Sequence, residues 1–284
     1  MQSSAIKAPS MWIRILFFLV CYILFIFIFS NVTPFISALI FNETTSLYQF
    51  YTSVLFNFII SVALVWFFRK VFDKESFKSL GFKWKGFGKE RAIGFFTAVL
   101  LLTGISTILW LMQLLQWIFT NVNPQDFLLI TSVLVLIAVT EELVFRGYLL
   151  NNLLKSIPIQ AALILSALLF AVFHSLNPNF NFIAFINVFL AGLLLGVNYI
   201  YTRNLNFAII FHFSWNFLQG PVLGYRVSGI ELPSLLLQNS KGSVLLTGGN
   251  FGLEASWLVT ISLTIAVMLL YVLFQRKYKS ISVD

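Results

Sequence analysis

Apolar residues run along this chain in blocks long enough to cross a bilayer, each closed by a short polar stretch, and the blocks recur from end to end. Read with a window of about 19 residues, they predict eight spans, near 12–30, 50–68, 92–118, 127–150, 157–174, 182–201, 205–219 and 255–274. No repeat, low-complexity tract or soluble domain interrupts them. The expected fold is therefore all-α, a polytopic membrane helix bundle of about eight transmembrane helices, forming a single membrane domain over 1–284. Lys7 and Arg14 precede the first block as they would in a signal peptide. That block is too long for the apolar region of one and lacks a small-x-small cleavage site, so it reads as a retained anchor.

Composition agrees. The chain is 59% apolar and 10% charged, with 33 phenylalanines, and a soluble domain would need more charge to cover its surface. Basic residues then set the orientation, because Lys and Arg in short loops are retained on the cytoplasmic side. Arg69, Lys70, Lys74, Lys78, Lys83, Lys85, Lys89 and Arg91 crowd the loop after the second span. Alternating from that loop puts Lys155, Arg203 and the Arg276-Lys277-Tyr278-Lys279 tail inside, Glu43 and Asp126 outside, and both termini in the cytoplasm. Arg226 and Lys241 fall on the outer side, in the long stretch 220–254, and run against this pattern.

The net charge of +8 belongs to the same picture. Positive residues beside apolar spans point to anionic lipid headgroups as partners and not to nucleic acid. The single cysteine, Cys21, excludes an internal disulfide and any thiolate metal cluster, and fills space in the first span.

Ionisable side chains inside apolar spans mark function. Glu141-Glu142-Leu143-Val144-Phe145-Arg146 lies in the fourth span. Glu142 and Arg146 are four apart, with the acid on the N-terminal side, so they share a helix face in the favourable order for an ion pair. Glu141 is rotated by about 100° from Glu142 and points toward a neighbouring helix, which leaves it the carboxylate free for proton transfer. The chain has 2 histidines. His174 closes Phe170-Ala171-Val172-Phe173-His174 at the end of the fifth span, where it suits either a structural hydrogen bond or catalysis. His212 and Asn216 again stand four apart, and an imidazole and a carboxamide on one face can hold a water and a carbonyl oxygen together or simply bridge helices.

Taken in order, Glu-Glu-x-x-x-Arg, Phe-x-x-x-His and His-x-x-x-Asn on three separate spans resemble the CAAX protease and bacteriocin-processing (CPBP) family of intramembrane proteases. The matching residues are Glu141, Glu142 and Arg146, then Phe170 and His174, then His212 and Asn216. The resemblance covers about residues 130–220 by motif, and puts a catalytic core at about 127–220. It implies hydrolysis of peptide bonds in hydrophobic or lipid-anchored substrates, of the CAAX type or in bacteriocin or signal-peptide processing. In that scheme water is activated at Glu141 and positioned with His174, while His212 and Asn216 stabilise the oxyanion and Glu142 and Arg146 give electrostatic support. The chemistry of amide hydrolysis asks for the same roles: a base, a proton donor for the amine and a stabiliser of the tetrahedral intermediate. Ser175 is next to His174 in sequence only, which makes no triad. The family is commonly labelled metalloprotease, and a zinc ion, if bound, would take Glu141, His174 and His212 as ligands. The simpler division of labour has Glu141 as base and no metal. Phenylalanine, isoleucine and asparagine content suits an AT-rich bacterial genome, so the expected location is a bacterial cell membrane.

Further features support the bundle. Gly192 and Gly196 give a small-x-x-x-small spacing, and Asn187 and Asn198 can bond across helices or face water. The glycine-rich stretch 220–254 reads as a shaped cover or gate, or as an unstructured loop. At about 1.5 Å per residue, Glu141 and His212 lie roughly 13 and 10 Å from the cytoplasmic ends of their spans, and His174 roughly 24 Å. For the three to meet, the fifth span must start deeper, tilt, or break near Pro158. Two readings from other classes stand beside the protease: a proton-coupled transporter, which should show paired broken halves that are not apparent here, and a non-catalytic immunity or binding protein.

Overall fold

The computed structural model describes residues 10–41 and 46–279. Lys7 and Glu43, used above for the anchor and the orientation, lie outside the described residues. Eight principal helices follow one another: α1 (Met11–Phe41), α2 (Ser46–Phe68), α3 (Gly88–Leu111), α4 (Pro124–Glu142), α5 (Ile159–His174), α6 (Phe182–Thr202), α7 (Asn206–Phe217) and α8 (Trp257–Lys279). Among the described residues six stretches, those of α1, α2, α3, α4, α6 and α8, are long and apolar enough to cross a membrane. The protein is an integral membrane, all-α bundle.

Local sequence explains where the helices start. Asn123 accepts from Gln125 N and Pro124 occupies the first turn, so α4 begins there. Asn181 does the same for α6 through Ala184 N. Pro158 immediately precedes α5. Two helices are short: α5 has 16 residues and α7 has 12, which at about 1.5 Å per residue is ~24 and ~18 Å against a hydrocarbon thickness of ~30 Å. The 81–85 segment packs against the start of α7. Leu205 N donates to Gly81 O, and the carboxamides of Asn204 and Asn206 both donate to Lys83 O, at 2.7 and 2.8 Å.

The predicted third span overshoots. Its helix stops at Leu111, and Leu115–Phe119 forms a strand, β1, paired antiparallel with β2 (Leu236–Ser240) in the register Trp117↔Gln238. A helix and a strand are both apolar here, so the hydropathy window ran through the junction. The stretch 220–254 is correspondingly a built structure, with β2 at its centre and short helical turns at Val244–Thr247, Gly249–Phe251 and Leu253–Ala255. Gly192 does serve close packing. A Cβ there would lie 2.9 Å from Ala167 Cα, so only glycine lets α6 approach α5 at this point. Asn187 bridges helices: its Nδ2 donates to Glu254 O and Ser256 O, at 2.8 and 2.9 Å, and its Oδ1 accepts from Thr260 on α8.

The basic loop is folded against the bundle. Arg69, fully buried, donates to Asp73 (3.3 Å), Glu75 (2.6 Å) and the Ser79 hydroxyl. Asp73 also accepts from Arg14 on α1 (2.7 Å) and from Asn152 (3.2 Å), and Glu75 from Lys155. At the same end, Lys277 of α8 pairs with Glu90 of α3. The start of α1 and the end of α8 therefore lie together at the end that carries residues 69–91, as an even number of passes requires. Asp73→Ala leaves Arg69 with Glu75 alone as its carboxylate partner and removes the acceptor of Arg14 and Asn152, and should lower the stability of the detergent-solubilised protein by about 2 kcal/mol. The check is a thermal or denaturant melt beside Lys241→Ala at an exposed position, which should stay within about 0.5 kcal/mol of the parent.

Candidate active site

The site is assembled from the end of α4, the end of α5 and the middle of α7. Beyond Glu142, α4 widens into a π-helix, Leu143–Leu150, all of it buried. Such widened turns recur at functional sites because they displace side chains from α-helical register. Glu142 and Arg146 flank the transition, both completely buried, with Arg146 Nη1 donating to Glu142 Oε1 at 2.9 Å. The predicted ion pair is present. Arg146 Nη2 also donates to Gly192 O at 3.2 Å, and the guanidinium stands 4.3 Å from the centre of the Phe170 ring.

Glu142 has a second partner that the spacing did not reveal. The same Oε1 lies 2.9 Å from His212 Nδ1 on α7. A carboxylate only accepts, so Nδ1 carries the hydrogen and Nε2 is turned into the site. His174 is held in the same way from its own helix: Nδ1 lies 2.8 Å from Phe170 O, a carbonyl that can only accept. Phe170 thus stacks on Arg146 with its ring and fixes His174 with its backbone, while its ring centroid lies 4.3 Å from that of His174.

Both free Nε2 atoms face Glu141. Its Oε2 lies 3.5 Å from His174 Nε2 and 3.9 Å from His212 Nε2, and has no hydrogen-bond partner in the protein. Glu141 therefore turns away from Arg146, as its rotation from Glu142 predicts. The three side chains line a cavity of about 210 Å³ together with Asn216, Asn57 and Asn177. A second, smaller cavity of about 50 Å³ with mostly apolar walls begins at the same His174, His212 and Asn216 and extends between α6 and α8. All six predicted site residues converge. Ser175 does not join them: its hydroxyl donates to Val172 O.

Sequence reasoning missed Asn57 on α2, and Ser228 and Glu254 in the 220–256 region, which line these cavities. Asn57 had one signal, a carboxamide in the middle of an apolar span. Ser228 and Glu254 sit among turn formers where no periodicity points inward.

A catalytic zinc would need three of these donors around one point at about 2.0–2.2 Å. Among the described residues no group of three His, Cys, Asp or Glu side chains is arranged to hold a metal ion. The donor types of Glu141, His174 and His212 suit zinc.

Residues 123–218, from the cap of α4 to the end of α7, match the family described as type II CAAX prenyl endopeptidase Rce1-like. No curated protein and no solved structure matches the chain. The matched residues contain Glu141, Glu142, Arg146, His174, His212 and Asn216. The segment that builds the site is thus an Rce1-like domain of the CAAX protease family of membrane endopeptidases.

Proposed function

We propose that this protein is an intramembrane endopeptidase that cleaves hydrophobic or lipid-anchored peptides with water activated by Glu141 and without a protein nucleophile. The observation that carries the reading is the unpartnered Glu141 Oε2 between two imidazole Nε2 atoms whose other nitrogens are tied down. Water bound there gives one proton to Glu141 and directs the other at His174 Nε2. Its oxygen attacks the scissile carbonyl carbon, forming the C–O bond. The resulting oxyanion is stabilised by Asn216 and by His212, which in its protonated form donates from Nε2 while Glu142 accepts from Nδ1. A proton on His212 also balances the charges of Glu141 and Glu142 against Arg146. The C–N bond then breaks as Glu141 returns its proton to the departing amine, so atoms and charge close over the cycle.

Glu142 and Arg146 act by support: the first orients His212, the second neutralises the first. The bundle works as a single domain with its catalytic core at about residues 127–220. By the basic loop, both termini face the cytoplasm of a bacterial cell. Membrane lipids and a hydrophobic or lipid-modified chain are the partners.

Purified protein in lipid, offered a panel of hydrophobic and prenylated peptides, should cleave at least one, and Glu141→Ala should lower kcat by about 10²- to 10⁴-fold with the fold intact. Wild-type rates in that variant would sink the assignment of the base. Arg146→Ala should behave differently, because it strands Glu142 in a dry interior. Its first effect is a loss of about 3 kcal/mol in stability, read as lower abundance and an earlier melt before any kinetic change. No step above passes through a metal, so exhaustive chelation should leave the rate unchanged; loss on chelation with recovery on zinc would restore the metalloprotease reading.

A further inference from the structure

Glu254 is a buried carboxylate that the mechanism leaves unused. It lies in the turn Leu253–Ala255, just before α8. Its Oε2 accepts from Gln219 Nε2 at 2.6 Å and from Ser228 N at 3.2 Å, and its Oε1 from the Ser228 hydroxyl at 3.3 Å. Gln219 stands three residues beyond Asn216, in the π turn Leu218–Val222 that continues α7, and its Nε2 also donates to Arg226 O at 2.7 Å. One carboxylate thus ties the helix that carries His212 to the loop 226–229.

That loop is held tightly on both sides. A Cβ on Gly229 would lie 2.1 Å from Pro178 O, in the turn that follows His174, and one on Gly252 would lie 2.0 Å from Arg226 O. Ser228 sits in the left-handed region, at φ 48°, a conformation that a serine holds only when its surroundings impose it. The loop is also part of the site. Ser228 lines both cavities, and Glu254 lines the smaller one beside His174, His212 and Asn216.

We propose that Glu254 is a positioning residue of the protease, whose ionised carboxylate clamps residues 226–229 as a wall of the cavity in which the substrate meets His174 and His212. This rests on the endopeptidase reading above. The groups around Glu254 are neutral on every packed element: Gln219 from α7, Ser228 from the loop and Asn187 from α6, the last through the Glu254 carbonyl. Arg226 turns its guanidinium to Glu231 instead, at 3.2 Å. The titratable groups that share the cavity are His174 and His212. Burial pushes the Glu254 carboxyl up to about 7, against the opposing pull of the Gln219 and Ser228 donors. Above that pH the anion accepts from all three donors, and below it the added proton removes an acceptor site.

The test is steady-state cleavage from about pH 6 to 8 of a peptide that wild type cleaves in a Glu141-dependent manner, with hydrogen exchange of residues 224–230 at matched pH. Wild-type KM should fall as pH rises through about 7. Glu254→Gln keeps a carboxamide that can accept and donate but not ionise, so its KM should be flat over the range, while its kcat follows wild type. Glu254→Ala should raise KM about tenfold at pH 8, with kcat within about threefold, and should speed exchange in 224–230. Wild-type KM and exchange in Glu254→Ala would overturn the clamp. So would a wild-type KM profile in Glu254→Gln, which decides the matter alone if the alanine variant does not fold. Absence of any Glu141-dependent cleavage is a different failure, since it removes the endopeptidase reading itself.

Discussion

A single oxygen, Glu142 Oε1, accepts from both Arg146 Nη1 and His212 Nδ1, each at 2.9 Å, in the interior of the bundle. In a medium without water a charge must be met by protein groups or it unfolds its surroundings. Meeting it here ties α4 to α7 at one level and fixes which His212 nitrogen faces the cavity. Arg146 carries the same constraint outward, to Gly192 O on α6 and to the face of Phe170 on α5. Because Phe170 O then holds His174, both imidazoles owe their orientation to one ion pair and its neighbours. Adjacent carboxylates on one helix thereby take separate parts, with Glu142 committed to structure and Glu141 left to face the two Nε2 atoms.

Helix length does the other half of the positioning. Glu141, His174 and His212 sit at different distances from the ends of their helices, so equal spans starting at one surface could not bring them together. α7 is short and starts against the 81–85 segment, with Asn204 and Asn206 satisfying the Lys83 carbonyl. A loop that the positive-inside pattern treats as a topology signal is therefore also a pedestal for His212. The buried Arg69, held by Asp73, Glu75 and Ser79, keeps that loop folded back under the bundle.

Much of this was legible in the sequence because membrane helices announce themselves by length and apolarity, and because i,i+4 spacing fixes a shared face whatever the tertiary context. The Glu142–Arg146 pair, the outward turn of Glu141 and the close packing at Gly192 all follow from geometry local to one helix. What escaped was non-local. The spacing rule that paired Glu142 with Arg146 is silent on His212, 70 residues away in sequence. β1 was absorbed into the third span because four of the five residues of Leu115–Phe119 are apolar and follow closely on the helix. Glu254 and Gln219 gave no signal at all, since their burial comes from loops that close only in the folded bundle.

The buried carboxylates of Glu142, which holds His212, and of Glu254, which lines the smaller cavity beside it, differ in one respect that separates their roles. Glu142 faces a guanidinium, and a cation that keeps its charge at any physiological pH matches the carboxylate permanently. Glu254 faces an amide, a hydroxyl and a backbone N–H, none of which carries charge. Neutral donors stabilise an anion less than a cation does, so burial governs, and its carboxyl is pushed up to about 7. A fixed ion pair suits the part of the site that holds the His212 imidazole in one orientation. A carboxyl among neutral donors suits the proposed clamp on residues 226–229. The same side chain, given a charged partner in one place and neutral ones in the other, holds a histidine in the first and a loop in the second.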